Sequence, residues 1–308
     1  MEKYIFNTDP EEKCGFLISK KRKLLWKVEL EELEKFDQIC TKYNLRYFLI
    51  GGAAIGVERH KGFIPWDDDL DIGMLRKDFE KFLEVCRVEM QEPFHLQYGV
   101  EDSDDWSLFC RIRHSNTTAM IKWQKEQNCN HGVYIELYPF DRVPNSTMKQ
   151  YIQIELSSLF RQLIEDRFEK RKSRIFRILA FPFKGISVEK LFEMWDSVCT
   201  YYNDKKGDMV NTVSMPNYAK QKSCYYKYDD VAQTIKKPFE NMSVQMAINN
   251  DKILRICYGN YMEMPPIEKR GEAHNKIVYF DPQTPYKEVE KTDLPERFFA
   301  GEWDLGIL

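Results

Sequence analysis

One segment constrains the fold of this chain more than any other: an apolar run that ends in two glycines and is followed closely by alternating acidic and apolar residues. Residues 46–50 (RYFLI) are typical of a buried strand, and Gly51–Gly52 indicate a tight turn into a helix. In residues 66–73 (WDDDLDIG), a strand would place Asp69 and Asp71 on one face and the apolar residues on the other. The two segments predict neighbouring strands, one of which carries a pair of carboxylates.

Helical and strand-like patterns follow one another along the rest of the chain. They predict helices over 19–44, 77–90, 149–168, 188–203 and 247–258, and strands over 95–98, 107–114, 117–122 and 132–137. No internal repeat or low-complexity linker interrupts them. We therefore expect an α/β (α+β) fold in one compact domain, residues 1–308, with a core over about 20–145, a helical elaboration over about 146–275 and a C-terminal tail over 276–308.

The paired acids predict a metal site. Two carboxylates on one face repel each other, and a divalent cation removes that cost. Mg²⁺, or Mn²⁺, binds such carboxylates together with substrate phosphates. Glu136, in the apolar segment 133–137 (VYIEL), is predicted to lie on an adjacent strand and to complete a triad with Asp69 and Asp71. Two other interpretations stay open: the DDD run is a solvated turn, or Glu136 is a salt-bridged edge-strand residue.

Several residues are candidates for binding phosphate. Gly51–Gly52 would let a phosphate approach the backbone at the start of a helix, where N–H groups are free. Arg59 and Lys61 follow this turn, and Arg111 and Arg113 alternate along one strand, so both face one side. The alternative for Arg59 and Lys61 is that each is an ordinary surface charge, and the alternative for Arg111 and Arg113 is that they pair with surface acids.

Three blocks of the sequence carry a resemblance to a known family. They are YFLIGGAAIGVERHKGFIPWDDDLDIGM (47–74), GVYIELYPFDRVP (132–144), and a C-terminal block formed by 237–244 and 258–270 with His274 after it. Together they resemble the LicD family, which is related to fukutin-related proteins and belongs to the nucleotidyltransferase superfamily. The resemblance implies a polymerase-beta-like core, a mixed sheet flanked by helices, with a helical C-terminal elaboration.

The resemblance also implies an activity. A phosphorylated small alcohol, phosphocholine or an alditol phosphate, would pass from a CDP-linked donor to a sugar hydroxyl of a cell-surface glycan such as lipopolysaccharide or teichoic acid, releasing CMP. Asp69 and Asp71 would be the metal pair, Glu136 the third acid, Gly51–Gly52 the phosphate turn, and His274 a substrate contact. Two departures from the family pattern, Ala53 in place of Thr and Glu136 in place of Asp, bear on substrate identity.

Two other functions fit the same residues. In the first, the enzyme moves a nucleoside monophosphate to a small acceptor and releases pyrophosphate. In the second, the chain is an inactive module that binds a nucleotide or a glycan. The nucleotide product separates the two enzymes, CMP for the first reaction described and pyrophosphate for nucleotidyl transfer. Failure of Mg²⁺ to enhance nucleotide binding would favour the binding module.

Composition limits partners and location. A formal net charge of −3 argues against nucleic acid as a partner. Eight scattered cysteines without a CxxC pair, and no signal peptide or apolar run of spanning length, predict reduced thiols and a cytoplasmic location. Residues 170–184 (KRKSRIFRILAFPFK) predict a basic amphipathic helix, ended by Pro182, that would suit the inner face of an anionic membrane carrying a lipid-linked acceptor. The alternative is a solvated helix packed on the core by its apolar face.

Overall fold

The structure of the protein, a computed structural model, describes residues 6–100, 102, 104–121, 128–168, 176, 180–205, 207–221, 224–270 and 277–289. Its helices are α1 (Lys20–Lys42), α2 (Gly51–Arg59), α3 (Arg76–Glu89), α4 (Thr147–Phe168), α5 (Val188–Thr200), α6 (Pro216–Ala219), α7 (Tyr228–Val231) and α8 (Asn250–Tyr258). Short 3₁₀ turns lie at Phe181–Phe183, Ile267–Lys269 and Tyr286–Glu288.

The strands are β1 (Glu11–Lys13), β2 (Phe16–Ile18), β3 (Phe48–Leu49), β4 (Asp71–Leu75), β5 (Phe94–Gly99), β6 (Ser107–His114), β7 (Thr118–Ile121), β8 (Val133–Val143), β9 (Met209–Asn211), β10 (Tyr226–Lys227), β11 (Thr234–Phe239), β12 (Met242–Ala247) and β13 (Ile277–Asp281).

A mixed sheet of seven strands organises the molecule. Five of its strands pair in the order β10–β9–β8–β4–β3. Strand β6 also pairs with β8, and β5 pairs with β6. The β4–β8 pair is parallel, and the other pairs are antiparallel. This mixed sheet with flanking helices confirms the α/β (α+β) class and is consistent with a nucleotidyltransferase-like core. The division into core, elaboration and tail stays a prediction.

Helix α1 is the main cover of the sheet. Ser19 caps its N-terminus by accepting a hydrogen bond from the Arg22 N–H at 3.2 Å. Its apolar side chains enter the largest buried cluster, in which Leu33 and Phe36 are fully buried. A second cluster lies under α4 and α5 around Trp195. The two clusters leave one end of the sheet uncovered, where β3 leads into α2 and β4 begins. The candidate site lies at this end.

Three local features differ from the sequence-based expectations. Strand β4 begins at Asp71, so Asp69 belongs to the preceding loop and not to the strand. Strand β8 continues to Val143, past the predicted end at residue 137. Residues 234–247 form an antiparallel hairpin of β11 and β12, which the pattern did not predict. The register of Asp71 with Glu136 is nevertheless as expected for adjacent strands.

The basic segment 170–184 lies largely outside the described residues, which include only Phe176 and 180–184 from it. Phe176 is buried and belongs to the cluster around Trp195, whereas Phe181 is 74% exposed. Among the described residues, no helix combines the length and apolar character needed to span a bilayer.

Candidate active site

The acidic loop, residues 60–70, is anchored to α1 and enters β4. Nη1 of Arg22 and Nε1 of Trp26 both donate hydrogen bonds to the Asp67 carbonyl oxygen, at 2.7 and 3.0 Å. The Trp26 ring also stacks on Phe63 with ring centroids 4.8 Å apart. These buried contacts hold an irregular, strongly acidic segment in one conformation, so its carboxylates are presented by tertiary contacts and not by a strand.

A cavity of about 510 Å³ opens where this loop meets the start of α2. Its wall brings together Gly51, Gly52, Arg59 and the carboxylates Asp67, Asp69 and Asp71, together with the aromatic residues Trp66, Tyr138, Phe140, Tyr226, Tyr258 and Tyr261. The sequence-predicted acidic pair and glycine pair therefore line one cavity. Its size is that of a small-molecule site.

The carboxylates in this wall perturb one another. Burial raises the pKa of Asp69 well above its usual range, and the negative charges of Asp71 and Asp67 raise it further. Oxygen atoms of Asp67, Asp68 and Asp69 all lie within 4.8 Å of one another. Acids held this close resist simultaneous ionisation, and hard oxygen ligands of this kind suit Mg²⁺ or Mn²⁺. The residues present thus fit the expected cation.

The two glycines serve different purposes. Gly51 adopts a φ of +60°, a left-handed conformation that glycine adopts at little cost. Gly52 allows a close approach, because a Cβ built there would lie 2.2 Å from Oδ2 of Asp67. A side chain at position 52 would therefore displace the Asp67 carboxylate. Helix α2 begins at these residues and directs its first backbone N–H groups towards this end of the sheet.

Glu136 is the Cα partner of Asp71 across the parallel β4–β8 pair. Its Oε1 accepts hydrogen bonds from Nε and Nη2 of Arg111 at 2.8 and 2.7 Å, and its Oε2 accepts one from the Tyr138 hydroxyl. Glu136 itself is absent from the described lining of the cavity, whereas Tyr138 contributes to it. The third predicted acid therefore reaches the cavity wall through Tyr138.

The remaining predicted cations divide between the cavity and the scaffold. Arg59 lines the cavity, and its Nη1 donates to the carbonyl oxygens of Tyr261 and Glu263 at 2.7 and 3.1 Å. Lys61 is exposed and donates to the Glu58 carbonyl oxygen.

Arg113 is fully buried. It donates to Gln97 Oε1 at 2.7 Å and to the Gly132 carbonyl oxygen at 2.8 Å, and thus braces the sheet. His274 lies outside the described residues.

Sequence reasoning missed most of the aromatic wall. Phe140 and Tyr226 stack with centroids 5.3 Å apart and an interplanar angle of 22°. Tyr258 and Tyr261 come from the C-terminal block that carried the family resemblance, which was the one available signal for them. The sequence pattern did not single out Asp67, because an apolar residue separates Asp69 from Asp71 whereas another acid, Asp68, separates Asp67 from Asp69.

Comparison with known proteins identifies the family that the sequence resembles. The family described as "LicD/FKTN/FKRP, nucleotidyltransferase domain" matches residues 44–190, which contain the acidic loop, β4 and β8.

Individual relatives extend the match. The chain is 27% identical over 269 residues to the lipopolysaccharide cholinephosphotransferase LicD of Haemophilus influenzae, covering 81% of this chain and 94% of that protein. It is 31% identical over 97 residues to an uncharacterized protein of Rickettsia typhi, covering 32% of this chain and 30% of that protein. The chain is therefore a LicD-type phosphotransferase, and its residues 44–190 match the nucleotidyltransferase domain of that family.

Proposed function

We propose that this enzyme transfers a phosphorylated small alcohol, phosphocholine or an alditol phosphate, from a CDP-linked donor to a sugar hydroxyl of a cell-surface glycan, with release of CMP. The relative from Haemophilus influenzae is named for cholinephosphate transfer to lipopolysaccharide, which supports the class of group and acceptor. The observation that carries the proposal is the meeting of Asp69, Asp71, the glycine turn and an aromatic wall in one cavity.

Asp69 and Asp71 would hold the cation, Mg²⁺ or Mn²⁺. When bound, the ion supplies positive charge to the phosphate oxygens of the donor and to the departing CMP. Burial is the main cause of the raised pKa of Asp69. A bound cation would favour the ionised form of this carboxylate, which is the form that acts as its ligand.

The start of α2 would bind the donor's phosphates. The N-terminus of a helix carries free backbone N–H groups and a partial positive charge, both of which favour an anion. Gly51 and Gly52 line the cavity at this end of α2 and offer no side chain that would block the approach. Arg59, at the other end of α2, adds a cation to the same wall and ties it to the C-terminal block.

The aromatic part of the wall would bind the flat or cationic parts of the donor. The faces of Tyr138, Phe140, Tyr226 and Tyr258 are suited to stacking on a pyrimidine base, and aromatic faces also attract a quaternary ammonium group. An alditol lacks that positive charge. We expect a choline donor to gain more from these rings than an alditol donor does.

Glu136 would act as the third carboxylate. Directly paired residues of neighbouring strands place their side chains on the same face of a sheet, so Glu136 and Asp71 share a face. The guanidinium group of Arg111 forms an ion pair with the Glu136 carboxylate and holds it in place. A carboxylate among these three would accept the proton from the attacking sugar hydroxyl.

The proposed setting is the cytoplasm, at the inner face of a membrane that carries a lipid-linked acceptor. The basic composition of residues 170–184 supports contact with anionic lipid. Co-sedimentation with anionic vesicles that fades as salt is raised would support this contact, and no binding to such vesicles would remove it.

The test is a screen of CDP-choline, CDP-ribitol and CDP-glycerol with and without Mg²⁺. A true donor should raise the melting temperature in a Mg²⁺-dependent way, since a ligand selective for the folded state stabilises it. With an acceptor glycan present, CMP as product supports the proposal. Pyrophosphate released from a nucleoside triphosphate would instead indicate nucleotidyl transfer, and binding without turnover would indicate a binding module.

Two variants sharpen this test. Asp69→Asn and Asp71→Asn replace a hard anionic ligand by an amide, so kcat should fall more than about 100-fold, given that residues which merely orient metal ligands already contribute about 10–100-fold. The far-ultraviolet circular dichroism of both variants should match that of the wild type. Near-normal turnover in either variant would contradict the assignment of the metal pair.

A further inference from the structure

The guanidinium group of Arg59, the last residue of α2, is fixed at two of its three nitrogen atoms. Nε donates to Nε2 of His60 at 2.9 Å, and Nη1 donates to the carbonyl oxygens of Tyr261 and Glu263 at 2.7 and 3.1 Å. Among the described residues, Nη2 has no hydrogen-bond partner. Arg59 lines the cavity, so its N–H groups on Nη2 are available to a ligand there.

The contact with Arg59 defines the state of the His60 imidazole. A guanidinium N–H can only donate, so Nε2 of His60 accepts, and the ring is neutral with its proton on Nδ1. Burial lowers the pKa of His60 to about 4, and the positive charges of Arg59 and Lys13 act in the same direction. The ring therefore stays an acceptor at neutral pH.

His60 is itself held in place. Its backbone N–H ends α2 by donating to the Gly56 carbonyl oxygen at 2.8 Å. Its ring makes an edge-to-face contact with Trp66, with ring centroids 6.2 Å apart and ring planes at 83°. Trp66 lines the cavity, whereas His60 is absent from the described lining. His60 thus touches the wall without forming part of the described lining.

We infer that His60 is a positioning residue for Arg59: its neutral imidazole holds Nε while the C-terminal block holds Nη1, so that Nη2 is presented to a phosphate of the donor. A guanidinium group is planar, and fixing two of its nitrogens orients the third. Charge-assisted hydrogen bonds to phosphate depend on such an orientation. The inference rests on the proposed function in taking the ligand of Arg59 to be a phosphate.

The affinity of the full chain for inorganic pyrophosphate tests the inference. This probe contains the phosphates of a CDP-linked donor without its base or its alcohol, and calorimetry at a fixed Mg²⁺ concentration gives its Kd. His60→Phe keeps a ring beside Trp66 but removes the acceptor. Its Kd should rise about tenfold, the effect of losing one hydrogen bond that involves a charged group.

His60→Gln is the conservative variant. An amide oxygen at the end of a glutamine side chain takes the place of Nε2 and accepts from Arg59. This variant should bind pyrophosphate almost as tightly as the wild type, which a purely structural role of the ring would not allow.

His114→Phe is the matched control. His114 is also half-buried, and its ring makes an edge-to-face contact with Phe94 at a centroid distance of 5.2 Å. It lies at the end of β6 and is absent from the described lining of the cavity. The control should keep the wild-type Kd.

A double-mutant cycle shows whether His60 acts through Arg59. In the Arg59→Met background, His60→Phe should change the Kd less than about twofold, because the guanidinium group that it orients is gone. Nitrogen-15 NMR of the imidazole gives a readout that needs no ligand. His60, assigned from the spectrum of His60→Gln, should be neutral with its proton on Nδ1 at about pH 5.5, where an ordinary histidine is mostly charged.

Four results would overturn the inference: a wild-type Kd in His60→Phe, a loss that persists without Arg59, a His60→Gln variant as weak as His60→Phe, or a charged His60 ring at about pH 5.5. Circular dichroism checks the fold of each variant. Should His60→Phe fail to fold, the NMR measurement on the wild type and the affinity of His60→Gln still decide the question.

Failure of the proposed function gives a different pattern. If no CDP donor supports turnover while pyrophosphate affinity still depends on His60 through Arg59, the positioning role stands without the transferase. If a CDP donor is turned over with equal kcat/KM in wild type and His60→Phe, the proposed function stands and the inference is removed.

Discussion

At the scale of single residues, Gly52 shows how closely the acidic loop is fitted to α2. A Cβ at this position would meet Oδ2 of Asp67 at 2.2 Å, far inside van der Waals contact. Asp67 is buried and held through its carbonyl oxygen by Arg22 and Trp26, so its backbone has little room to retreat. The carboxylate would have to rotate away instead.

Oxygen atoms of Asp67 and Asp69 lie within 4.8 Å of each other, so Gly52→Ala is expected to disturb the proposed cation site at Asp69 more than the fold. Rotating a buried carboxylate should cost about 1 kcal/mol of stability, at the low end of overpacking effects. Mn²⁺ affinity and kcat/KM should fall at least about tenfold, which corresponds to about 1.4 kcal/mol. Denaturant unfolding, calorimetry and donor turnover measure the three effects.

Gly185→Ala is the control for this prediction, because no neighbouring atom lies within 4 Å of a Cβ at Gly185. It should leave stability and cation binding near the wild-type values. Equal cation affinity in the Gly52 and Gly185 variants would show that the Asp67 carboxylate is free to move without consequence.

The roles of individual side chains were only partly predictable. Alternation along a strand correctly placed Arg111 and Arg113 on one side, and both guanidinium groups pack over the Tyr134 ring. Their partners were not predictable, because Glu136 and Gln97 come from two different strands. Arg111 and Arg113 look equivalent in the sequence pattern. The order of the strands in the sheet decides which of them pairs with an acid.

At the scale of elements, a buried ion pair joins α3 to the extended end of β8. Nε and Nη2 of Arg76 donate to the two carboxylate oxygens of Asp141 at 2.7 and 2.8 Å, and Nη1 reaches Asp196 of α5 at 3.1 Å. Arg76 is the first residue of α3, and Asp141 is fully buried. One side chain thus links three elements that are far apart in sequence.

Arg76→Met should destabilise the protein by about 3–5 kcal/mol, because it leaves the buried Asp141 carboxylate without its cation. The measurement is the free energy of unfolding in urea. Lys81→Met, on the same helix, removes an exposed pair with Glu84 and should cost less than about 1 kcal/mol. A loss in Arg76→Met no larger than that in Lys81→Met would contradict the assigned role of the buried pair.

Elements with strong periodicity were predictable, and those that depend on pairing were not. The helices predicted over 19–44, 77–90 and 149–168 are present as α1, α3 and α4 with shifts of at most two residues at their ends. The hairpin of β11 and β12 was missed. Thr234–Phe239 contains two lysines and a proline and has one fully buried residue, so its alternation is weak and its register comes from pairing with β12.

At the scale of the whole molecule, the reactivity of the cysteine thiols depends on how the two buried clusters are packed. All eight cysteines are unpaired with one another, as the scattered spacing predicted. Cys40, Cys110 and Cys199 are almost completely buried, and burial raises the pKa of each thiol. A buried thiol with a raised pKa reacts slowly, because the thiolate is the nucleophile.

Thiol labelling at pH 8 should therefore reveal three reactive groups in the native protein and eight in guanidinium chloride. The three are Cys14, which is exposed, and Cys224 and Cys257, which are partly exposed. A reducing agent should leave the melting temperature unchanged. Fewer than eight thiols in the unfolded, unreduced protein would reveal a disulfide and contradict the expectation.

The sequence alone determined the positions of the long helices, the glycine turn and the acidic segment, because periodicity and backbone sterics act over a few residues and can be read locally. Only the tertiary structure decided that Asp69 reaches the cavity from a loop, that Arg111 pairs with Glu136, and that Tyr258 completes the wall. These contacts join residues that are distant in the chain. Their free energy depends on strand order and on burial, and neither is encoded in any single segment.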